Sequence, residues 1–202
     1  MIWDSVPWKA DLLATAKRLE TMMRTRRPSE RRLMAMEKDV FVGFYAVRKL
    51  IEANKVSTAT KELNVPVVMY PSTGKATTTM NWHRVDQLFD FSKGRPNAVR
   101  LLDLANWVIH SYVYLPMTTS ATGPVKSIIV ASDRQRNQSI HEIELSSLAS
   151  IFELVGRDFP VRYTSTYNDA KQDYDVVAYT PGYPSTLPAV SSKSRSRKLS
   201  VR

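Results

Sequence analysis

The chain predicts an α-rich α+β fold: an N-terminal helical bundle, then a β-hairpin and helix packed against it, then a disordered basic C-terminal tail. Three observations carry this. Apolar residues recur at spacings of three and four through the first half, which is the period of an amphipathic helix. After Gly123-Pro124 the texture becomes short and β-branched. From Pro181 onward Pro, Ser, Thr and Gly dominate, and no packed core can be built there. With 202 residues, 43% apolar and 24% charged, the length suits one globular domain over residues 1–180 and a tail over 181–202.

Within the helical part, residues 5–115, the first helix is expected over 9–27, where Leu12, Leu13, Ala16, Leu19, Met22 and Met23 share a face until Pro28 interrupts it. Residues 29–54 carry the strongest pattern, Leu33, Met36, Val40, Phe44, Val47 and Ile51, and read as the central core helix. Gly43 inside it implies the close approach of a neighbouring helix. Val65–Tyr70 is β-branched but contains Pro66, so an edge strand and a loop are placed there. Residues 82–92 and 96–114 read as two more helices, the second opened by Pro96-Asn97 and carrying Val99, Leu102, Ala105, Val108 and Tyr112. In the 125–158 part, residues 127–131 and 139–145 flank a polar stretch in the manner of a hairpin. A helix over 147–155 follows, stopped by Gly156, and residues 161–163 and 174–179 add strands.

The absence of cysteine excludes a disulfide framework, a thiolate metal site and a cysteine nucleophile, and it fits a reducing compartment. The first residues carry Asp4 and lack the apolar core of a secretory signal. Residues 104–117 are shorter than a membrane span and contain His110. The expected location is therefore the cytoplasm, with no membrane partner. Ser72-Thr-Gly-Lys75 lacks the earlier glycine of a phosphate-binding loop, because Met69 stands in its place. His83, Asp86 and Asp90 could share a helical face, but that is equally a solvated surface, and neither a metal nor a cofactor is assigned. No serine lies in a nucleophile elbow.

One string carries a family resemblance. Arg136-Asn137-Gln138-Ser139-Ile140-His141 resembles the Arg-polar-x-x-x-His signature of the HEPN superfamily, helical-bundle proteins that include metal-independent ribonucleases of toxin–antitoxin and antiphage systems. The resemblance covers these six residues and a general helical character. It implies that Arg136 holds the scissile phosphate, that His141 acts as acid or base on the ribose hydroxyl or leaving oxygen, and that Asn137 orients the histidine. A second fragment, Ala105-Asn106-Trp107-Val108-Ile109-His110, has the Asn-x-x-x-His half of that signature in a helical context, with Asn106 and His110 one turn apart. Ala105 stands where the arginine belongs, so a cation would have to come from Arg100 or another helix. The alternative is that Asn106 and His110 simply bond to a buried neighbour.

The net charge of +10 is gathered in two places. Arg24, Arg26, Arg27, Arg31 and Arg32 surround Pro28, offset by Glu30. Lys193, Arg195, Arg197, Lys198 and Arg202 alternate with serine in the tail. Clustered cations suit a polyanion, because each neutralised phosphate releases a counterion. A solvated helix terminus is the other reading of the first cluster. The tail has no interleaved aromatics, which leaves backbone contact and not base stacking. The leading expectation is thus a cytosolic, nucleic-acid-associated protein, RNA above all, distantly like a HEPN domain. Two other classes stand beside it. One is a non-enzymatic interaction subunit or adaptor, or a homo-oligomer, using Met22, Met23, Met34 and Met36. The other is a viral or phage structural protein with a basic arm.

Overall fold

The computed structural model describes residues 2–184 together with Leu187. Most of the expected tail therefore lies outside the described residues, including Lys193, Arg195, Arg197, Lys198 and Arg202. The described part is a mixed α+β fold. Helix α1 spans Val6–Arg24 and opens with Pro7 in its first turn, where the missing N–H costs nothing. Arg27 takes a left-handed φ of 49° at the corner, and Pro28 is buried. Helix α2, Glu30–Glu52, turns back from Ser29 and lays Met36, Val40, Phe44, Val47, Leu50 and Ile51 into the core. Two hydrogen bonds from Arg18 to Asp39, at 2.7 and 3.0 Å, tie α1 to α2.

The expected bundle over 5–115 is corrected by the sheet. Strands β1 (Asn64–Pro71), β2 (Arg95–Arg100), β3 (Ser111–Thr118), β4 (Val125–Ser132) and β5 (Ser139–Glu144) form one antiparallel sheet in the order β2-β1-β5-β4-β3. Strand β2 and the first half of β3 lie where a helix is expected, and β1 lies where an edge strand is expected. The continuous helix over 96–114 is instead β2, then helix α5 at Leu101–Ile109, then β3. Val99 pairs with Val65, and the Leu101 N–H donates to the Leu63 carbonyl at 2.9 Å, so sheet pairing claims the first residues before the helix can begin. Residues 82–92 retain only one helical turn, α4 (Val85–Leu88), and a 3-10 turn at Phe91–Lys93. That segment is held by Val85, Leu88 and Phe89, which are buried against the sheet.

Strand β1 is not an edge strand, since it pairs with both β2 and β5. Pro66 is tolerated for a local reason: the pairing with β5 begins only at Val68, so at Pro66 one side of the strand is open. A short helix α3 (Thr58–Lys61) precedes β1, and helix α6 (Leu145–Arg157) follows β5. Gly156 does not stop α6, which runs one residue further. A Cβ at Gly156 would lie 2.8 Å from Leu13 Cγ, so the glycine serves the close packing of α6 on α1. Strands β6 (Arg162–Asn168) and β7 (Asp173–Tyr179) form a separate two-stranded ribbon.

The sheet separates two apolar layers. On one side α1, α2, α5 and α6 enclose Val65, Val67, Ile128, Val130 and Ile143. On the other, residues of the 82–91 segment cover Tyr70, Val113, Ile129 and Ile140. Gly43 sits where α2 meets α6: a Cβ there would approach Phe152 Cζ to 2.5 Å. Alanine would gain about 1 kcal/mol of helix propensity, yet overpacking against a fully buried ring costs about 1–3 kcal/mol. Gly43→Ala should therefore lower the urea midpoint without changing the slope of the transition. A raised midpoint would refute the packing account.

Candidate nucleic-acid interface and the cleft at His110

The corner between α1 and α2 gathers the first basic cluster. Arg24, Arg26, Arg27, Arg31 and Arg32 are all exposed, and among the described residues none pairs with a carboxylate. The Arg27 N–H donates to the Thr122 carbonyl at 3.1 Å, so the β3–β4 turn braces the corner while its side chains stay in water.

At the other end of α2 lies a cleft of about 620 Å³ lined by Arg48, Asp103, Asn106, Trp107, His110 and residues 132–135. Helix α5 supplies Asn106, Trp107 and, just past its end, His110. The Asp133 N–H donates to the His110 carbonyl at 3.0 Å, which fixes the β4–β5 turn against the end of α5. Arg48 of α2 reaches in, with Nη1 3.5 Å from His110 Nε2 and Nε 2.7 Å from Glu52. Arg48 is thus the cation that lies beside His110. Arg100 is not that cation, because it pairs with Asp103 at 2.9 Å. Asn106 Oδ1 is buried without a partner, and Arg134, exposed on the turn, pairs with no carboxylate among the described residues.

The residues of the fuller motif are near one another in sequence but do not converge. His141 is on β5, 2% exposed, with its ring 4.3 Å from that of Trp107. Desolvation by burial lowers its pKa to about 4, so it is neutral at pH 7, and its Nδ1 has no partner. Arg136 lies over the Tyr112 ring at 4.0 Å and pairs with Asp133 at 3.3 Å. Asn137 does not orient the histidine, because its Oδ1 accepts from the Thr77 N–H at 2.8 Å. The motif lies at the β4–β5 turn, where the Arg136 carbonyl and the Asn137 side chain accept from Thr77 and fasten it there. Trp107 is what separates His141 from the cleft.

Arg48, Trp107 and Arg134 were not singled out by sequence. Arg48 and Glu52 have the spacing of an ordinary solvated helix pair, and nothing local announces that Arg48 meets His110. Of the four methionines proposed as an interaction face, Met22 and Met36 are buried and only Met34 is largely exposed. Among the described residues no group of three His, Asp or Glu is placed to hold a metal, and no helix is long and apolar enough to cross a membrane. No family model matches the chain, and no curated protein or solved structure does either.

Proposed function

We propose that this protein binds RNA, with the arginine corner contacting phosphates and the His110 cleft serving as a distant, HEPN-like site in which Arg48 replaces the motif arginine. The observation that carries the reading is the set of five exposed guanidiniums at one corner, with no carboxylate paired to them among the described residues. Intramolecular salt bridges would have consumed such a cluster had its task been structural. The corner and the cleft lie at opposite ends of α2. From Arg32 to Arg48 the helix axis rises about 24 Å, so a single strand could touch both.

In the cleft, Arg48 and Arg134 offer donors to a phosphate, and Trp107 offers an aromatic edge beside a base. His110, an exposed residue, is the histidine that lines the cleft. This supports binding more directly than turnover, since Asp103 and Asp133 are engaged by Arg100 and Arg136 and leave His110 without an evident second acid or base. The test is RNA binding followed by fluorescence anisotropy across a salt series. Charge reversal of Arg26 and Arg27 should flatten the dependence of log K on log salt by about 1–2. An unchanged slope would remove the corner from the interface. RNA incubated with the protein in chelator should stay whole. Cleavage lost in His110→Ala but kept in Arg136→Ala would convert the reading into a metal-independent ribonuclease.

A further inference from the structure

The β6–β7 ribbon stands with most of both faces in water. Every residue from Arg162 to Tyr167 is exposed, and Tyr163, Tyr167, Tyr174, Val177 and Tyr179 are each about half exposed. A lone two-stranded ribbon is marginal in water. Strand β7 is anchored to the body: Ala178 is buried, and its N–H donates to Thr58 Oγ1 at 3.0 Å. Among the described residues strand β6 pairs with β7 alone, so along its seven residues the other edge is open to them.

The two edges of the five-stranded sheet are blunted in the ways proteins use against unwanted pairing. Strand β2 carries Arg95, Pro96 and Arg100. Strand β3 carries Pro116 and two register irregularities. Strand β6 has no proline, glycine or lysine, and its register with β7 runs without a break from Arg162 opposite Tyr179 to Asn168 opposite Asp173. Its sequence has a further property. Tyr163-Thr164-Ser165-Thr166-Tyr167 reads the same in both directions.

We propose that the β6 edge is the interface between two copies of this chain, joined by antiparallel β6 strands about a two-fold axis at Ser165. A four-stranded sheet results, with the two β7 strands outermost. In an antiparallel pair, residues directly opposite share a face. Tyr163 then faces Tyr167 of the second copy, Thr164 faces Thr166 of the second copy, and Ser165 faces itself, which are aromatic and Thr–Thr pairings that stabilise sheets. Because Tyr167 is already beside Tyr174, with ring centroids 5.2 Å apart, each end of the new face carries an unbroken row of tyrosines from both copies. Charge agrees with the same register. Arg162 comes beside Asn168 of the second copy, whose own neighbour across its ribbon is Asp173, so the cationic end of one ribbon meets the acidic tip of the other. A slip of one residue would set tyrosine against threonine and turn the matched side chains to opposite faces. An isologous contact of this kind closes as a dimer.

The interface does not depend on RNA binding, and its test is made without RNA. Sedimentation velocity on the full chain should show a concentration-dependent dimer. Ser165→Lys sets two ammoniums against each other on the axis and should raise the dimer dissociation constant by roughly tenfold or more, a change of about 1.4 kcal/mol per decade. Ser165→Thr should keep the dimer. Because the chain has no cysteine, Ser165→Cys should give a disulfide-linked dimer on mild oxidation, faster than Thr164→Cys, whose own copy lies diagonally about 7–8 Å away. Circular dichroism controls for folding, and the cysteine pair decides if the lysine variant does not fold. A monomer throughout, a dimer indifferent to Ser165→Lys, or equal cross-linking at both positions would overturn the proposal. So would association that requires a strand from a different protein.

Discussion

Acidification from pH 6.5 to pH 4 should remove about 3 kcal/mol of folding free energy through His141 alone. The ring is buried beneath Trp107, and burial has moved its pKa down to about 4 from an ordinary 6.5. In that window the unfolded chain binds a proton that the folded chain refuses. Stability is therefore fully present above pH 6.5 and is lost as the pH falls through the folded value. Urea titrations at pH 7 and pH 4.5 should show the loss, and His141→Gln should show much less of it while remaining folded. Equal acid sensitivity in the variant would place the titrating group elsewhere. The same measurement bears on function, because a histidine that stays neutral and covered cannot exchange a proton with substrate.

An equally large effect is expected at Asp158, which is fully buried where α6 ends. Its Oδ2 accepts from the Ser57 N–H at 2.7 Å and the Ser57 hydroxyl at 2.8 Å, and its Oδ1 accepts from Thr180. Beside it Lys9, 1% exposed, donates to the carbonyls of Lys55 and Asp158 and lies 3.9 Å from the Phe159 ring centroid. Desolvation by burial lowers the Lys9 pKa to about 8, although Asp158 pulls it upward. Asp158→Ala would leave the Lys9 ammonium on its two backbone carbonyls but without the carboxylate charge nearby, and would take the acceptor from three donors, at a cost of about 3–5 kcal/mol. On the order of 10 °C should be lost from Tm. Lys9 adds a signature of its own. Between pH 8 and 10.5 the unfolded chain holds the proton more tightly, so stability from this group should rise with pH, and Lys9→Met should flatten that rise. A flat wild-type profile would contradict it.

Local pattern made some of this legible and non-local pairing hid the rest. Helix α2 was readable because its apolar stripe from Met36 to Ile51 is continuous and uninterrupted by proline. The strands flanking residues 133–138 were readable because their β-branched residues alternate around a polar turn. The stretch 96–114 was misread because Val99, Leu102, Ala105, Val108 and Tyr112 keep a helical period across what is strand, helix and strand. No window of sequence reveals that Val99 is already committed to Val65. The site divides the same way. Asn106 and His110 are a local pair on one helix and could be found, whereas Arg48 joins them from 62 residues away. His141 looked reactive because the helix that covers it is remote from it in the chain.

The sheet order has a consequence for how the chain comes to be folded. Strand β1 reaches its partner β5 through Tyr70 opposite Ile140, and α1 packs on α6, whose residues are among the last of the main body. The first contact cannot form until the chain has been made through Glu144 and the second until about Arg157, so during synthesis at ~5–20 residues per second α1 stays without its partner for roughly 7–27 s. Until then the apolar stripe of α1 is without the helix that covers it, and until β5 is made the open side of β1 is unpaired. A nascent chain of this topology is expected to engage chaperones that shield exposed hydrophobic surface, and to refold in vitro on the slow side for its size, because its decisive contacts close long loops.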